Sequence, residues 1–239
     1  MNDLVKLAIK AHGGLDRWNK FQELSVRIDV GGVLWPMKGY PEFTQQPSRV
    51  TISLHRQKAS HEPFLKPNQR TSVEPNRVTV ETLDGKVLEE LPSPRASFDG
   101  HTLETPWTRL QLAYFAGYAM WTYLTAPFSF AMPGFESREV EGWSENGETW
   151  RGLRVKFPKT IATHASEQTF YFGKDGLLRR HDYDVEISQA RGAHYVSNYK
   201  EFDGIMIPTK RIIYIPGPDN KPLPEPIIVS TDISDVKFK

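Results

Sequence analysis

Aliphatic and polar side chains alternate in residues 23–91, and this period of two predicts β-strands. Leu24, Val26 and Ile28 are separated by polar or charged residues, and the same rhythm returns in later runs of this segment. Such alternation is typical of antiparallel strands that have one buried face and one wet face. Two short helices are predicted ahead of these strands, in residues 1–21.

The same rhythm is clearer in residues 138–239, which predict a second set of strands. Asn146-Gly147 separates two alternating runs, and this dipeptide is the strongest short signal for a two-residue hairpin turn. A turn at that point sets Trp143 opposite Trp150 on adjacent strands. The runs in both halves of the chain together predict about ten strands or more.

Residues 105–135 break the rhythm, because they carry no formal charge after Arg109. Thr105 can cap a helix and Pro106 suits its first position, while the ring of Pro127 would end it. A helix is therefore predicted between these points. One of its faces is formed by side chains that recur every three or four residues: Trp107, Leu110, Tyr114, Tyr118 and Trp121.

A helix that lacks a charged face is normally buried on several sides, either in a large core or in lipid. A membrane-spanning helix is the less favoured interpretation, since the run before Pro127 is shorter than the roughly 20 apolar residues required. Its tyrosines would also need polar partners in hydrocarbon. Two interpretations stay open, a packed core helix or a helix that closes an apolar ligand cavity. In both we expect its aromatic face to contact the concave side of the sheet.

These patterns predict a mainly β fold with minor α content. No crossover helices separate the later strands, so a parallel sheet is excluded. We expect a single curved antiparallel sheet that forms an unclosed or half barrel, with an N-terminal helix and the central apolar helix packed in or over its concave face. No linker divides the chain, so residues 1–239 are predicted to form one domain.

Composition narrows the classes of function. The 30 lysines and arginines nearly balance the 29 aspartates and glutamates, so nothing in the net charge of +1 favours nucleic acid or an anionic membrane as a partner. The absence of cysteine excludes disulfides and thiolate metal sites. No spacing of histidines or glycines suggests a metal site or a cofactor. The first residues lack a secretory signal, which predicts a cytoplasmic protein, and the oligomeric state is left open.

One strand in the second set carries candidate chemistry. Alternation places Arg179, His181 and Tyr183 on one face, and pairing with the preceding strand directs them inward with Phe170 and Phe172. An inward arginine is costly unless it is paired, so it would serve an anionic head group or a buried carboxylate. His181 and Tyr183 are the acid–base candidates, although no nucleophile motif accompanies them. Alternatively, strand twist leaves all three side chains wet at the rim of the sheet.

These faces depend on the pairing of Phe172 with Leu177 across the turn. The other face of the same strand pair is then expected to be a solvated ladder of charged and polar residues, without a catalytic role. Its members are Glu167, Thr169, Arg180 and Asp182.

The order of these features resembles the LolA/LolB-like family of outer-membrane lipoprotein carriers, as a relative without a signal peptide. The resemblance is carried by the helix stop at Gly13-Gly14, the lid-like helix between two sets of hairpins, and the segments 170–180 and 199–209. Members of that family are unclosed antiparallel barrels with helices that plug the mouth and acyl chains held in an apolar cavity. The resemblance therefore implies a protein that binds a hydrophobic ligand.

The leading hypothesis is a soluble binding or carrier protein for a hydrophobic or amphipathic, acyl-chain-like small molecule or lipid. An enzyme that acts on an apolar substrate in the same cavity, and a structural or interaction domain with a filled core, are the alternatives. The predicted ligand-binding residues are those of the helix and of the two strands: Trp107, Leu110, Tyr114, Tyr118, Trp121, Phe170, Phe172, Arg179, His181 and Tyr183.

Overall fold

The computed structural model describes residues 1–239 and contains one antiparallel sheet of thirteen strands. The strands are β1 (Glu23–Gly31), β2 (Ser48–Ser53), β3 (Ala59–Glu62), β4 (Gln69–Glu74), β5 (Arg77–Thr82), β6 (Val87–Pro92), β7 (Glu136–Glu145), β8 (Glu148–Lys156), β9 (Glu167–Phe172), β10 (Leu178–Val185), β11 (Ala190–Phe202), β12 (Ile205–Tyr214) and β13 (Val229–Phe238). Their order is β6-β5-β4-β3-β2-β1-β13-β12-β11-β10-β9-β8-β7. Since β13 pairs with β1 while β6 and β7 stay apart, the sheet is not closed, which confirms the predicted fold class.

Four α-helices accompany the sheet: α1 (Asp3–Ala11), α2 (Leu15–Trp18), α3 (Leu34–Met37) and α4 (Arg109–Thr125). Short 3₁₀ turns lie at Pro41–Thr44, Pro94–Phe98, Phe128–Ala131 and Glu186–Ser188. The Asn2 side chain caps α1 by accepting a hydrogen bond from the amide of Val5 at 2.9 Å, as expected for an asparagine at this position. None of the helices has the length and apolar character that crossing a membrane would require.

The central helix α4 begins later than the sequence predicted. Thr108 and Gln111 form a reciprocal capping box, in which each side chain accepts a hydrogen bond from the backbone amide of the other residue. This arrangement satisfies two amides at the start of the helix, so it fixes the first turn at Arg109. Thr105 instead accepts from the amide of Thr102, outside the helix. The predicted end before Pro127 is confirmed.

The hairpin at Asn146-Gly147 forms as predicted. Both residues have positive φ angles, 51° and 79°, as a two-residue turn of this type requires, and Trp143 pairs with Trp150. The strands β3 and β4 were not predicted. Polar side chains hide their alternation, because Gln69 and Thr71 point inward next to Val73 and are as buried as an aliphatic residue would be.

Two apolar clusters fill the concave side of the sheet, and α4 contributes to both. Its C-terminal part packs with α1 and β1 in the larger cluster, and its N-terminal part packs with α3 and β5 in the smaller one. At mid-helix, a Cβ atom placed on Gly117 would lie only 2.6 Å from Val73 Cγ2 of β4. Gly117 is therefore the residue that allows the helix to approach this edge of the sheet.

We expect Gly117→Ala to destabilise the protein even though alanine favours helices. The gain in helix propensity is at most about 1 kcal/mol, whereas overpacking against Val73 costs about 1–3 kcal/mol. Denaturant unfolding should show a net loss, and the double variant Val73→Ala/Gly117→Ala should lose less than the sum of the single variants. Strict additivity would show that the two side chains do not meet.

Candidate functional site

An apolar cavity lies between α4 and the concave face of the sheet. Its free volume is about 70 Å³, and 19 of its 25 lining residues are hydrophobic. The helix contributes one wall: Phe115, Ala116, Ala119, Met120 and Tyr123. The sheet contributes the opposite wall: Ile28, Val30, Tyr183, Val185, Gly192, Ile213, Val229 and Thr231. Trp35 of α3 and Phe43 of the following 3₁₀ turn close one side.

Local sequence explains why a cavity exists at this point. Ala116 and Ala119 present short side chains to the sheet where larger ones would fill the space. On the opposite wall, Val30 pairs with Thr231, so inward positions of neighbouring strands lie side by side. Only a glycine at position 192 leaves room for the Tyr183 ring, because a Cβ atom there would lie 2.8 Å from that ring.

A buried lysine holds one segment of the cavity wall in place. Lys38 donates hydrogen bonds from Nζ to the carbonyl oxygens of Thr102, Leu103 and Thr105 at 3.2, 2.5 and 3.0 Å. Its ammonium also lies 4.5 Å from the centre of the Trp107 ring, a cation–π distance. Burial lowers the pKa of Lys38 to about 8. Since Leu103 and Trp107 line the cavity, Lys38 fixes one segment of its wall.

Of the residues predicted to bind a ligand, Trp107 and Tyr183 line this cavity. The others lie elsewhere in the core or at its edge: Leu110, Tyr114, Tyr118, Trp121, Phe170, Phe172, Arg179 and His181. Trp121 donates from Nε1 to the carbonyl oxygens of Ser53 and Arg56, at 2.9 and 3.0 Å, and so ties the helix to the β2–β3 turn. The residues of the predicted aromatic face thus do not share one environment: Trp107 lines the cavity, and Trp121 binds the turn between two strands.

The predicted register of β9 and β10 was wrong. Phe172 pairs with Leu178, and a bulge between Leu178 and Arg180 shifts the later residues. Arg179 lies at this bulge and its guanidinium binds Asp175 at 2.6 Å near the surface. It therefore does not join His181 and the inward residues, because a bulge adds one residue to the strand and reverses the alternation that follows.

The prediction that Arg180 lies on a solvated ladder was also wrong. Its side chain is fully buried on the other face of the sheet and is held by Asp182 through two hydrogen bonds of 2.6 and 2.9 Å. The guanidinium also binds the Tyr195 hydroxyl at 2.8 Å and lies 4.3 Å from the Trp143 ring. The guanidinium also donates a hydrogen bond at 2.6 Å to the backbone carbonyl of Asn220, in the loop between β12 and β13.

A buried polar cluster, which we call the His164 cluster, lies at one end of the cavity. The Tyr123 hydroxyl is hydrogen-bonded to His164 Nε2 at 2.9 Å and to the Tyr183 hydroxyl at 2.6 Å. Tyr118 reaches His164 Nδ1 at 3.3 Å, and the His164 ring stacks on Tyr183. Burial lowers the pKa of His164 to about 3 and raises the pKa values of the three tyrosines. The cluster is therefore neutral at ordinary pH.

His181, the acid–base candidate, lies behind this cluster. Its Nε2 is hydrogen-bonded to Gln168 Oε1 at 2.7 Å, and its ring stacks on Phe170 with 3.9 Å between centroids. Burial, followed by the nearby His194, holds its pKa well below the usual value. Of the two candidates, only Tyr183 reaches the cavity wall.

Several cavity residues had no signal in the sequence. His164 stands in the loop between β8 and β9, and His61 stands on the unpredicted strand β3, so neither follows from local pattern. His61 lines the cavity fully buried, and neither of its ring nitrogens has a hydrogen-bond partner. Burial lowers its pKa to about 4. His55, six positions earlier, instead binds the carbonyl of Phe21 at the surface, so the two histidines do not form a common site.

This geometry defines a class of protein, an unclosed antiparallel barrel with an apolar cavity beneath an inserted helix. Comparison with solved structures identifies the fold as LolA-like, in agreement with the resemblance predicted from the sequence. A LolA superfamily protein from Nitrosomonas europaea superposes with a TM-score of 0.56 at 11% identity, over 98% of this chain and 93% of the other. A putative outer-membrane lipoprotein-sorting protein domain from Vibrio parahaemolyticus gives 0.54 at 11% identity, over 99% and 91%.

At the level of sequence, no family profile matches the chain, and no curated protein does either. The likeness to the two solved structures is therefore a likeness of fold.

We expect the protein to lose stability as the pH falls from about 6.5 to 4. The folded-state pKa of His61 is about 4, below the ordinary histidine pKa of 6.5 that applies to the unfolded chain. In this window the unfolded chain binds the extra proton, so each such histidine lowers the free energy of unfolding by up to about 1.4 kcal/mol per pH unit. His61→Phe should make the decline shallower in denaturant unfolding at pH 7 and pH 5.

The matched control is Phe43→Leu, which alters the same wall of the cavity without removing a titratable group. It should lower stability equally at both pH values. A wild-type slope in His61→Phe would contradict the prediction, because it would show that the folded and unfolded chains bind the His61 proton equally.

Proposed function

We propose that this protein binds, and carries, a hydrophobic or amphipathic small molecule in the cavity beneath α4. The observation that carries the proposal is the lining itself, in which 19 of 25 residues are hydrophobic. Apolar pockets with a few polar groups are the usual form of small-molecule sites. The apolar lining supports a binding role, and a ligand larger than the free volume of about 70 Å³ requires the walls of the cavity to move apart.

The chemistry of the walls indicates what kind of ligand fits. The hydroxyl and ring nitrogen atoms of Tyr123, His164 and Tyr183 bond to one another and offer little to a polar ligand. The ring nitrogens of His61 and Trp107 lack partners, so the lining has few free polar atoms among mostly apolar side chains. Binding energy must then come from burial of apolar surface, about 25 cal/mol per Å². An acyl chain meets this requirement, because it contributes apolar surface and needs no hydrogen bonds along its length.

The neighbours in fold support a lipid-related ligand. One of them is described as a putative outer membrane lipoprotein-sorting protein domain, and both superpose on this chain with TM-scores above 0.5. Because a fold hosts many functions, this likeness supports the class of ligand and does not name the ligand. Of the two acid–base candidates of the enzyme hypothesis, His181 lies outside the lining, and Tyr183 lines the cavity with its hydroxyl bonded to that of Tyr123.

Filling the cavity should abolish binding while the fold is kept. Ala119 lies on α4 and its methyl group faces the cavity, so Ala119→Phe places a ring in the space that the ligand would occupy. We expect the affinity for a single-chain lipid to fall at least about tenfold, or 1.4 kcal/mol. Displacement of an environment-sensitive dye, together with native mass spectrometry of the purified protein, would measure this loss.

The control is Ala131→Phe, which adds the same ring at an exposed position of the 3₁₀ turn after α4. Its affinity and its melting temperature should stay close to those of the wild type. The proposal fails if the wild-type protein neither displaces the dye nor carries any lipid, or if Ala119→Phe binds as tightly as the wild type.

A further inference from the structure

Arg211 is a charged residue at an inward position of β12. The buried positions of this strand alternate through Ile207, Thr209, Arg211 and Ile213, and Arg211 is only 2% exposed. The arginine therefore occupies a place in the pattern where the neighbouring strands mostly have apolar side chains. A long cationic side chain at such a place needs a partner, because desolvating a charge without compensation is very unfavourable.

The protein supplies almost no partner for this guanidinium. Nη2 donates to the carbonyl oxygen of Tyr123 at 2.8 Å, but Nε and Nη1 have no hydrogen-bond acceptor. None of the ion pairs of the protein includes Arg211. Burial lowers its pKa to about 10, which leaves it protonated at neutral pH. The other buried arginine, Arg180, has Asp182 beside it.

The groups around Arg211 are uncharged and none is a carboxylate. Tyrosines and histidines surround it: His12, Tyr123, His181, Tyr183, His194 and Tyr199. His194 is fully buried, and both of its ring nitrogens also lack partners. The rings of His194 and Tyr123 are 4.4 Å apart, and the Arg211 guanidinium lies 5.6 Å from the centre of the Tyr123 ring. The unused hydrogen-bonding groups of both side chains thus lie close to one tyrosine.

This tyrosine separates Arg211 from the apolar cavity. Tyr123 lines the cavity at the C-terminal end of α4, and Thr231 and Ile213 line it on the sheet. Arg211 pairs with Thr231 across β12 and β13, so it lies next to a strand position that lines the cavity. For a head group in the cavity to reach Arg211, the Tyr123 ring has to move, which breaks its hydrogen bonds to His164 and Tyr183.

We propose that Arg211 and His194 bind the oxyanion head group of a single-chain amphiphile whose tail occupies the cavity. The inference rests on the proposed function and adds the charge of the ligand to it. A carboxylate or a phosphate can accept two hydrogen bonds from the planar guanidinium and one from an imidazole N–H. The head group would also be the counterion that the folded chain lacks.

Three ligands with the same chain test the inference: palmitate, hexadecyl phosphate and hexadecanol. After removal of bound lipid, titration of the wild-type protein should show that at least one of the two anions binds about tenfold tighter than the alcohol, or more. A preference for palmitate identifies a carboxylate site, and a preference for hexadecyl phosphate identifies a phosphate site. Equal affinity for all three would overturn the inference alone.

Substitution separates the role of Arg211 from general hydrophobic binding. Arg211→Met should lose the preference for the anion while its affinity for hexadecanol is unchanged. Lys210→Met removes a neighbouring charge from the same strand and should keep the preference. If Arg211→Met retains the preference, the inference is wrong.

A measurement on the wild-type chain keeps the test valid if Arg211→Met does not fold. The Nε–Hε resonance of Arg211 should shift in NMR spectra when the preferred anion is added, but not when hexadecanol is added. An unchanged resonance during anion binding contradicts the inference. If none of the three ligands binds at all, the proposed function fails and the inference fails with it.

Discussion

The structure depends on the burial of a helix that has no polar face. Because α4 carries almost no charge, it is stable only if protein surrounds it on several sides, and the sheet curves around it without closing. Gly117 lets one side of the helix approach Val73 closely. On another side, Ala116 and Ala119 leave space against the sheet. The same helix therefore completes the core and forms a wall of the cavity.

Buried polar groups are the second constraint. Two buried arginines, on opposite faces of the sheet, differ in how far the protein compensates their charge. Arg180 has Asp182, Tyr195 and an aromatic ring beside it, so its charge is compensated within the fold. Arg211 has a single backbone carbonyl. A buried charge that is left without a counterion is expensive, and its position next to an apolar cavity is the reason for proposing an acidic head group.

Much of the sheet follows from local chemistry. The turn at Asn146-Gly147 and the pairing of Trp143 with Trp150 were predictable because the dipeptide accepts positive φ angles and fixes the register of two short strands. The bulge near Arg179 was not predictable, since the inserted residue is tolerated only because Asp175 and the adjoining loop accommodate its side chain. Strand β4 was not predicted either, because most of its inward residues are polar and hide the alternation.

The sequence by itself determined the class of the fold, the buried helix and its end before Pro127, and the apolar character of any cavity the helix could close. These depend on period, turn residues and local charge, which act over a few positions. The tertiary structure alone decided which side chains reach the cavity. His61, His164 and Arg211 come from distant segments, and their environments follow from the order of strands in the sheet and from the loops that cover it. Long-range packing, rather than local pattern, sets burial and hydrogen-bond partners.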